Sequence, residues 1–262
     1  MRYNRHMRRI RFQPYIYLVF SIFIVLIFYD TVSRAYLWRT GKILAGEAVP
    51  YQRLMATSTE RVLMIGDSTV VGAGASNPLK TIAGRFGTEC QNWEIVNMGK
   101  NGDRTVRLVN RVKFDNIGHF DLAIIQIGGN DVVYATPISQ IEEDINLILK
   151  KVKSLSSHVM LMSTGNPEIA PLFPWYLDDV YSARSQQINQ LFSDAAVREG
   201  VVFISTAEQS SSIVDSNYWA SDHFHPSDSG YDLWYGLIKR RLEQAGTLEL
   251  RAGGVDGKCI IN

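Results

Sequence analysis

The sequence predicts an α/β domain built on a parallel sheet with helices on both faces, preceded by an apolar N-terminal helix. Three observations carry this. Short apolar runs ending in glycine or a polar residue recur along the chain, and stretches with helical spacing alternate with them. The composition, 46% hydrophobic and 20% charged over 262 residues, is ordinary for a globular protein and long enough for one substantial core.

The first element is the apolar run Pro14 to Tyr29, uncharged until Asp30 and preceded by Arg2, Arg5, Arg8, Arg9 and Arg11. As a helix it extends ~24 Å, slightly short of the ~30 Å of a hydrocarbon core. Tyrosines stand at both ends, where interfacial rings are favoured. A single-pass signal anchor is the reading adopted. A cleaved signal peptide is the second, although Ser33-Arg34-Ala35 is a poor small-x-small site. A buried core helix is the third, and it leaves the arginines unexplained. Under the first two the basic arm stays in the cytoplasm and the body is exported. The division is a basic cytoplasmic arm at 1–13, a transmembrane anchor at 14–30, a linker at 31–59 with some helix near the membrane surface, a main domain at 60–245 and a tail at 246–262.

Within the main domain, Arg61 to Ile65 is an apolar run closed by Gly66, as in a buried strand. A loop and helix follow through residues 69–88, and Trp93 to Val96 is a second strand. Val106, Leu108, Val109 and Val112 have helical spacing. Leu122 to Ile127 is a third strand, closed by Gly128-Gly129. Ile138, Ile141, Ile145, Ile148 and Leu149 share one face of a helix over 137–153, with Pro137 near its first turn. Strands at 159–162 and 201–204 and helices at 177–198 and 228–245 complete five strands. No internal repeat or low-complexity tract appears.

Charge and cysteine narrow the function. Removing the five arginines of the arm from 27 Lys+Arg leaves 22 bases against 26 acids, a net of −4 for the rest. A mildly acidic body argues against a nucleic-acid-binding domain, whose folded part carries a basic face. Cys90 and Cys259 are the two cysteines; in an exported body they can bridge the tail to the domain, or they are two unrelated buried thiols.

Four short motifs carry the chemistry: Gly66-Asp67-Ser68, Asn97 with Gly102, Gly128-Gly129-Asn130-Asp131, and Asp222-His223-Phe224-His225. Ser68, Gly102 and Asn130 each fall just past a predicted strand, at the edge where open parallel sheets bind ligands. A serine hydroxyl needs a neighbouring base to act as a nucleophile, and at a strand-to-helix junction it gains N–H groups that face a developing oxyanion. As a plain motif, Gly-Asp-Ser is equally an ordinary helix N-cap. Gly102 lets backbone approach a substrate oxygen, with Gly99 a second candidate, and the Asn130 amide donates where an Asp could not. Asp131 reads as structural, holding its loop or capping the next segment. Asp222 and His225, three apart in one loop, allow the carboxylate to orient the imidazole while its other nitrogen faces Ser68. His223 is an alternative base, and Asp222, His223 and His225 are an alternative metal cluster; the adopted reading has no metal. Leu172, Phe173, Trp175 and Tyr176, in the loop at 165–176, are candidates for an apolar acyl pocket or for simple loop packing.

These residues resemble the SGNH (GDSL) hydrolase family of esterases and lipases from about 60 to 245, all four blocks falling in the family's order. The resemblance implies a flavodoxin-like three-layer α/β/α fold and no metal or organic cofactor. Ser68 is implied as nucleophile, His225 as base and Asp222 as its orienting carboxylate. The implied oxyanion hole is the Ser68 and Gly102 N–H groups with Asn130. An α/β-hydrolase fits less well, because Val70 stands where its nucleophile elbow needs glycine. The expectation is a membrane-anchored serine esterase facing away from the cytoplasm, acting on small-acyl or lipid esters. The alternatives are deacetylation or O-acyl transfer on envelope carbohydrate, and a non-catalytic envelope binding protein.

Overall fold

The computed structural model describes residues 13–55, 57–58, 60–112, 117–164, 169–206, 217–250 and 259–261. The basic arm up to residue 12, residues 165–168 of the aromatic loop and residues 251–258 of the tail lie outside the described residues. Five strands, β1 (Glu60–Gly66), β2 (Trp93–Gly99), β3 (Phe120–Ile127), β4 (Ser156–Ser163) and β5 (Val202–Ser205), form a parallel sheet in the order β2-β1-β3-β4-β5. In register, Met64 pairs with Asn97 on one side and Ile124 on the other. This order places the switch in chain direction between β1 and β3, where such sheets open a crevice at their carboxyl ends.

The central strands β1, β3 and β4 read as largely apolar runs because both faces are covered. Val62, Met64, Leu122, Ile124, Met160 and Met162 face one way, against Phe86 of α3 (Ile82–Glu89) and Tyr231 and Ile238 of α8 (Asp228–Gln244). Leu63, Ile65, Ala123, Ile125 and Leu161 face the other way. There they meet Leu108 of α4 (Thr105–Arg111), Ile141, Ile145 and Ile148 of α6 (Ile138–Lys153), and Ile188 and Phe192 of α7 (Asp178–Glu199). Each fully buried Leu or Ile contributes ~1.5–3 kcal/mol, so the two apolar layers hold the sheet between them. Two short helices, α2 (Ser68–Val71) and α5 (Gly129–Val133), begin at the crevice.

The tail contributes β6 (Leu248–Leu250) and β7 (Cys259–Ile261), an antiparallel pair. Cys90 and Cys259 are disulfide-bonded, and the Asn92 side chain exchanges two hydrogen bonds with the Cys259 backbone, at 2.8 and 3.0 Å. A link closing a loop of 169 residues restricts the unfolded chain by on the order of 5 kcal/mol in the chain-entropy account.

The N-terminal helix α1 runs without a break from Gln13 to Glu47, well past residue 30. It is long and apolar enough to cross a membrane, and the side chains from Tyr15 to Tyr29 are not covered by the protein. Its far half is not a loose connector. The Arg34 guanidinium donates to the Leu172 carbonyl at 2.6 Å, and the Asn101 amide donates to the Ala45 carbonyl. Beyond it, Arg53 adds an antiparallel bridge to Ile95 on the edge strand, and its guanidinium donates to the carbonyls of Gly87, Cys90 and Trp93.

Candidate active site

β1 turns sharply into α2 at Gly66, whose φ of +148° and whose missing side chain are both needed: a Cβ there would lie 1.8 Å from the Gln126 carbonyl oxygen. Asp67 then caps α2. One of its oxygens accepts from the Thr69 N–H at 2.9 Å and the Thr69 hydroxyl at 2.7 Å, and the other accepts from the Thr164 hydroxyl at 2.8 Å. Burial pushes the Asp67 carboxyl up, and these hydrogen bonds only partly offset it. Asp67 therefore ties the end of β1 to the end of β4 and sets the place from which Ser68 projects.

The loop before α8 winds around a buried carboxylate. One Asp222 oxygen accepts the N–H groups of Phe224 and His225, each at 3.0 Å, and the other accepts from His225 Nδ1 at 2.5 Å. The far ring nitrogen, Nε2, lies 3.0 Å from Ser68 Oγ across 157 residues of sequence. Burial pushes the Asp222 carboxyl up, but the hydrogen bond and charge of His225 and the two backbone N–H groups outweigh it and leave the carboxyl below its ordinary value. The carboxylate thus stays ionised, fixing a proton on Nδ1 and leaving Nε2 free to accept. His223 is exposed, with φ of +57°, and it is His225 that meets the serine. Among the described residues no group of three or more His, Cys, Asp or Glu converges as metal ligands would.

Gly102 (φ +72°) and Asn130 line the same groove as Ser68, Asp222 and His225. Gly99 does not take that place. It lies under α2, where a Cβ would come within 2.7 Å of the Val71 nitrogen. The N–H groups of Ser68 and Gly102 donate to no backbone acceptor among the described residues. The Asn130 amide donates one hydrogen to the Asp103 carbonyl at 3.0 Å, which leaves its second without an acceptor among the described residues. Arg111 braces this corner, bridging the Asp103 carboxylate to the Met98 carbonyl. Asp131, next to Asn130, accepts from the Thr105 N–H and hydroxyl, both at 3.1 Å, and that hydroxyl also lies 3.1 Å from an Asp144 oxygen. One hydroxyl hydrogen cannot serve two carboxylates, and burial pushes the Asp131 carboxyl up to about 6 against the pull of the Thr105 and Thr136 hydrogen bonds. Its part is to anchor the loop, as its place after Asn130 suggests.

GDSL-like lipase/acylhydrolases match residues 64–233, a span that includes all four motifs. The chain belongs to that family. It is an ester-hydrolysing serine hydrolase. Among solved structures the hydrolase resembles TesA, at 16% identity over 71% of this chain and 99% of that one, with a TM-score of 0.58. It also resembles Axe2, an acetylxylan esterase from Geobacillus stearothermophilus, at 20% identity over 72% and 96% with a TM-score of 0.53. A third is a putative lipolytic protein of the G-D-S-L family from Desulfitobacterium hafniense, at 19% identity over 70% and 100% with a TM-score of 0.56. At these identities the likeness speaks for the fold. No curated protein matches the chain by sequence.

Two hollows meet at Ser68 in this hydrolase. The larger is a groove of about 340 Å³ reaching Gly102, Asn130, Tyr134 and Leu172. The smaller, about 40 Å³, lies between Ser68, Ala170, Thr206, Trp219 and His225. The aromatic loop contributes less than its composition promised. Leu172 is buried and lines the groove, and Phe173 packs edge-on against Phe224 and Tyr181. Trp175 and Tyr176 are 79% and 63% exposed and line neither hollow, because the one-turn 3₁₀ helix that carries them faces solvent. The sequence reading missed the opposite wall, which α1 supplies through Leu37, Trp38, Gly41, Lys42 and Ala45. A signal was present, since Leu37, Gly41 and Ala45 repeat every four residues along one helix face. Thr164 and Trp219 carried no signal, their neighbours being ordinary loop residues.

Proposed function

We propose that this hydrolase cleaves carboxylic esters through an acyl-enzyme on Ser68, with its catalytic domain on the extracytoplasmic side of a membrane crossed by α1. The observation that carries the mechanism is the unbroken line from the Asp222 carboxylate through His225 to Ser68 Oγ, at 2.5 and 3.0 Å. His225 takes the serine proton as the oxygen attacks the ester carbonyl, and the ion pair with Asp222 stabilises the imidazolium. The Ser68 and Gly102 N–H groups and the second Asn130 hydrogen receive the negative charge on the carbonyl oxygen. The imidazolium returns its proton to the leaving alcohol, and a water activated by the same nitrogen then frees the acid.

The hollow of about 40 Å³ beside Ser68 favours a short acyl group over a long chain. A sugar acetyl ester is the second reading, supported by that hollow and by the activity named for the Axe2 structure. The side of the membrane rests on the arginines ahead of the apolar run and on the Cys90–Cys259 disulfide, a bond kept in oxidising compartments.

The test is covalent labelling of the full-length protein by a fluorophosphonate, alongside turnover of short-chain esters. Wild type should label and turn over, and Ser68→Ala should do neither while unfolding at the same temperature. An unlabelled, folded wild type with no ester turnover refutes the mechanism and points to a binding protein instead.

A further inference from the structure

The outer half of α1 does more than connect. Arg34, Leu37, Trp38, Gly41, Lys42 and Ala45 lie on one face of the helix, and this face meets the catalytic loop and the groove. The approach is closest at Gly41, where a Cβ would sit 2.8 Å from the Asp222 oxygen that holds His225. Only a residue without a side chain lets the helix lie against the catalytic carboxylate, which is fully buried. Tyr36 and Ile43, on the opposite face, are exposed. The helix that enters the membrane is therefore the same rigid rod that walls the ester-binding groove.

A rod sets a height. Gly41 is 12 residues beyond Tyr29, the last residue of the apolar run, or ~18 Å along the helix axis. A tilt of 20–40° reduces this to ~14–17 Å. The headgroup layer takes up only ~6 Å on each side of the hydrocarbon. The Asp222 carboxylate, which Gly41 touches, is thereby held outside the level at which the acyl esters of bilayer lipids lie.

We infer that the juxtamembrane half of α1 is a wall of the substrate site and a spacer, so that the enzyme acts on esters carried by molecules of the aqueous layer beside the membrane and not on the acyl esters of lipids embedded in it. The inference rests on the proposed roles of Ser68 and of α1 as a membrane span.

The experiment uses the full chain in proteoliposomes of phosphatidylcholine with two probes: a short-chain ester free in solution, and phosphatidylcholine itself as the embedded ester. The soluble ester should be cut at least 100-fold faster at equal ester concentration. Comparable rates overturn the spacer; no turnover of either probe by wild type overturns the proposed function instead. For the wall, Gly41→Leu should lower kcat for the soluble ester at least tenfold and move the acid limb of the pH–rate profile, because the Asp222–His225 pair is displaced. Ile43→Leu, on the outer face, should change neither. Trp38→Ala, which widens the groove, should change the ratio of kcat/KM between bulky and small esters by at least fivefold. An unchanged profile in Gly41→Leu together with an unchanged ratio in Trp38→Ala overturns the wall, whatever the turnover of wild type.

Discussion

Replacing Asp222 with asparagine tests the proposed mechanism at the point where geometry leaves least freedom. In the wild type one carboxylate oxygen receives two backbone N–H groups and the other receives His225 Nδ1–H. Asparagine has one oxygen and one NH2 in the same shape. If the oxygen stays with the two N–H groups, the NH2 faces Nδ1, and two donors oppose each other. His225 escapes by moving its proton to Nε2, so that Nδ1 accepts from the amide. The nitrogen 3.0 Å from Ser68 then carries a hydrogen and can no longer accept the serine's. The alternative flip leaves two backbone N–H groups facing an NH2 in a buried site, at ~1–3 kcal/mol for each unsatisfied donor, so the first arrangement wins. An amide with this effect in serine hydrolases lowers kcat by ~10⁴-fold, equivalent to ~5.5 kcal/mol of transition-state stabilisation. The assay is steady-state hydrolysis of a short-chain aryl ester by detergent-solubilised full-length protein, with thermal unfolding as the check on folding. A folded Asp222→Asn enzyme that keeps more than a tenth of wild-type kcat would refute the reasoning, since the tautomer could then not matter.

Two further substitutions bear on other parts of the machinery. Asn130→Ala should lower kcat by ~10²–10³-fold with little change in KM, as expected for an oxyanion donor, and losing its bond to the Asp103 carbonyl should cost only ~1 kcal/mol of stability; a larger effect on KM than on kcat would speak against that role. Asp131→Asn tests the raised carboxyl. With a folded pKa of about 6 against an ordinary 3.8, the folded state binds more protons than the unfolded one between those values. Stability should therefore fall as pH rises from about 4 to about 6, by on the order of 3 kcal/mol from this group. The amide, which does not ionise, should remove that slope in denaturant titrations at pH 4, 5 and 6, and a slope that survives in the variant would assign it to another group.

Much of the fold was legible because its signals are local. Strands such as Leu122 to Ile127 are covered on both faces and so appear as apolar runs, here broken only by the buried Gln126, while α6 is covered on one face and shows Ile141, Ile145 and Ile148 at helical spacing. The candidate site was legible for a related reason. In a parallel sheet every strand ends at the same edge, so polar motifs following successive strands converge. That logic places Ser68, Gly102 and Asn130 together without any distance being known. The resemblance points to Gly102 over Gly99, and in the structure Gly102 lines the groove while Gly99, the last residue of β2, lies under α2.

By itself, then, the sequence determined the layered α/β architecture, the apolar N-terminal helix and the identity of the residues that gather at the crevice. Periodicity and chain order encode those directly. Tertiary structure alone decided that Cys90 reaches Cys259, that Trp175 and Tyr176 turn to solvent, and that α1 lies on Asp222 through Gly41. Each of these depends on contacts between segments far apart in the chain. Such contacts are set by how complete elements pack, and the spacing of residues within one element carries no record of them.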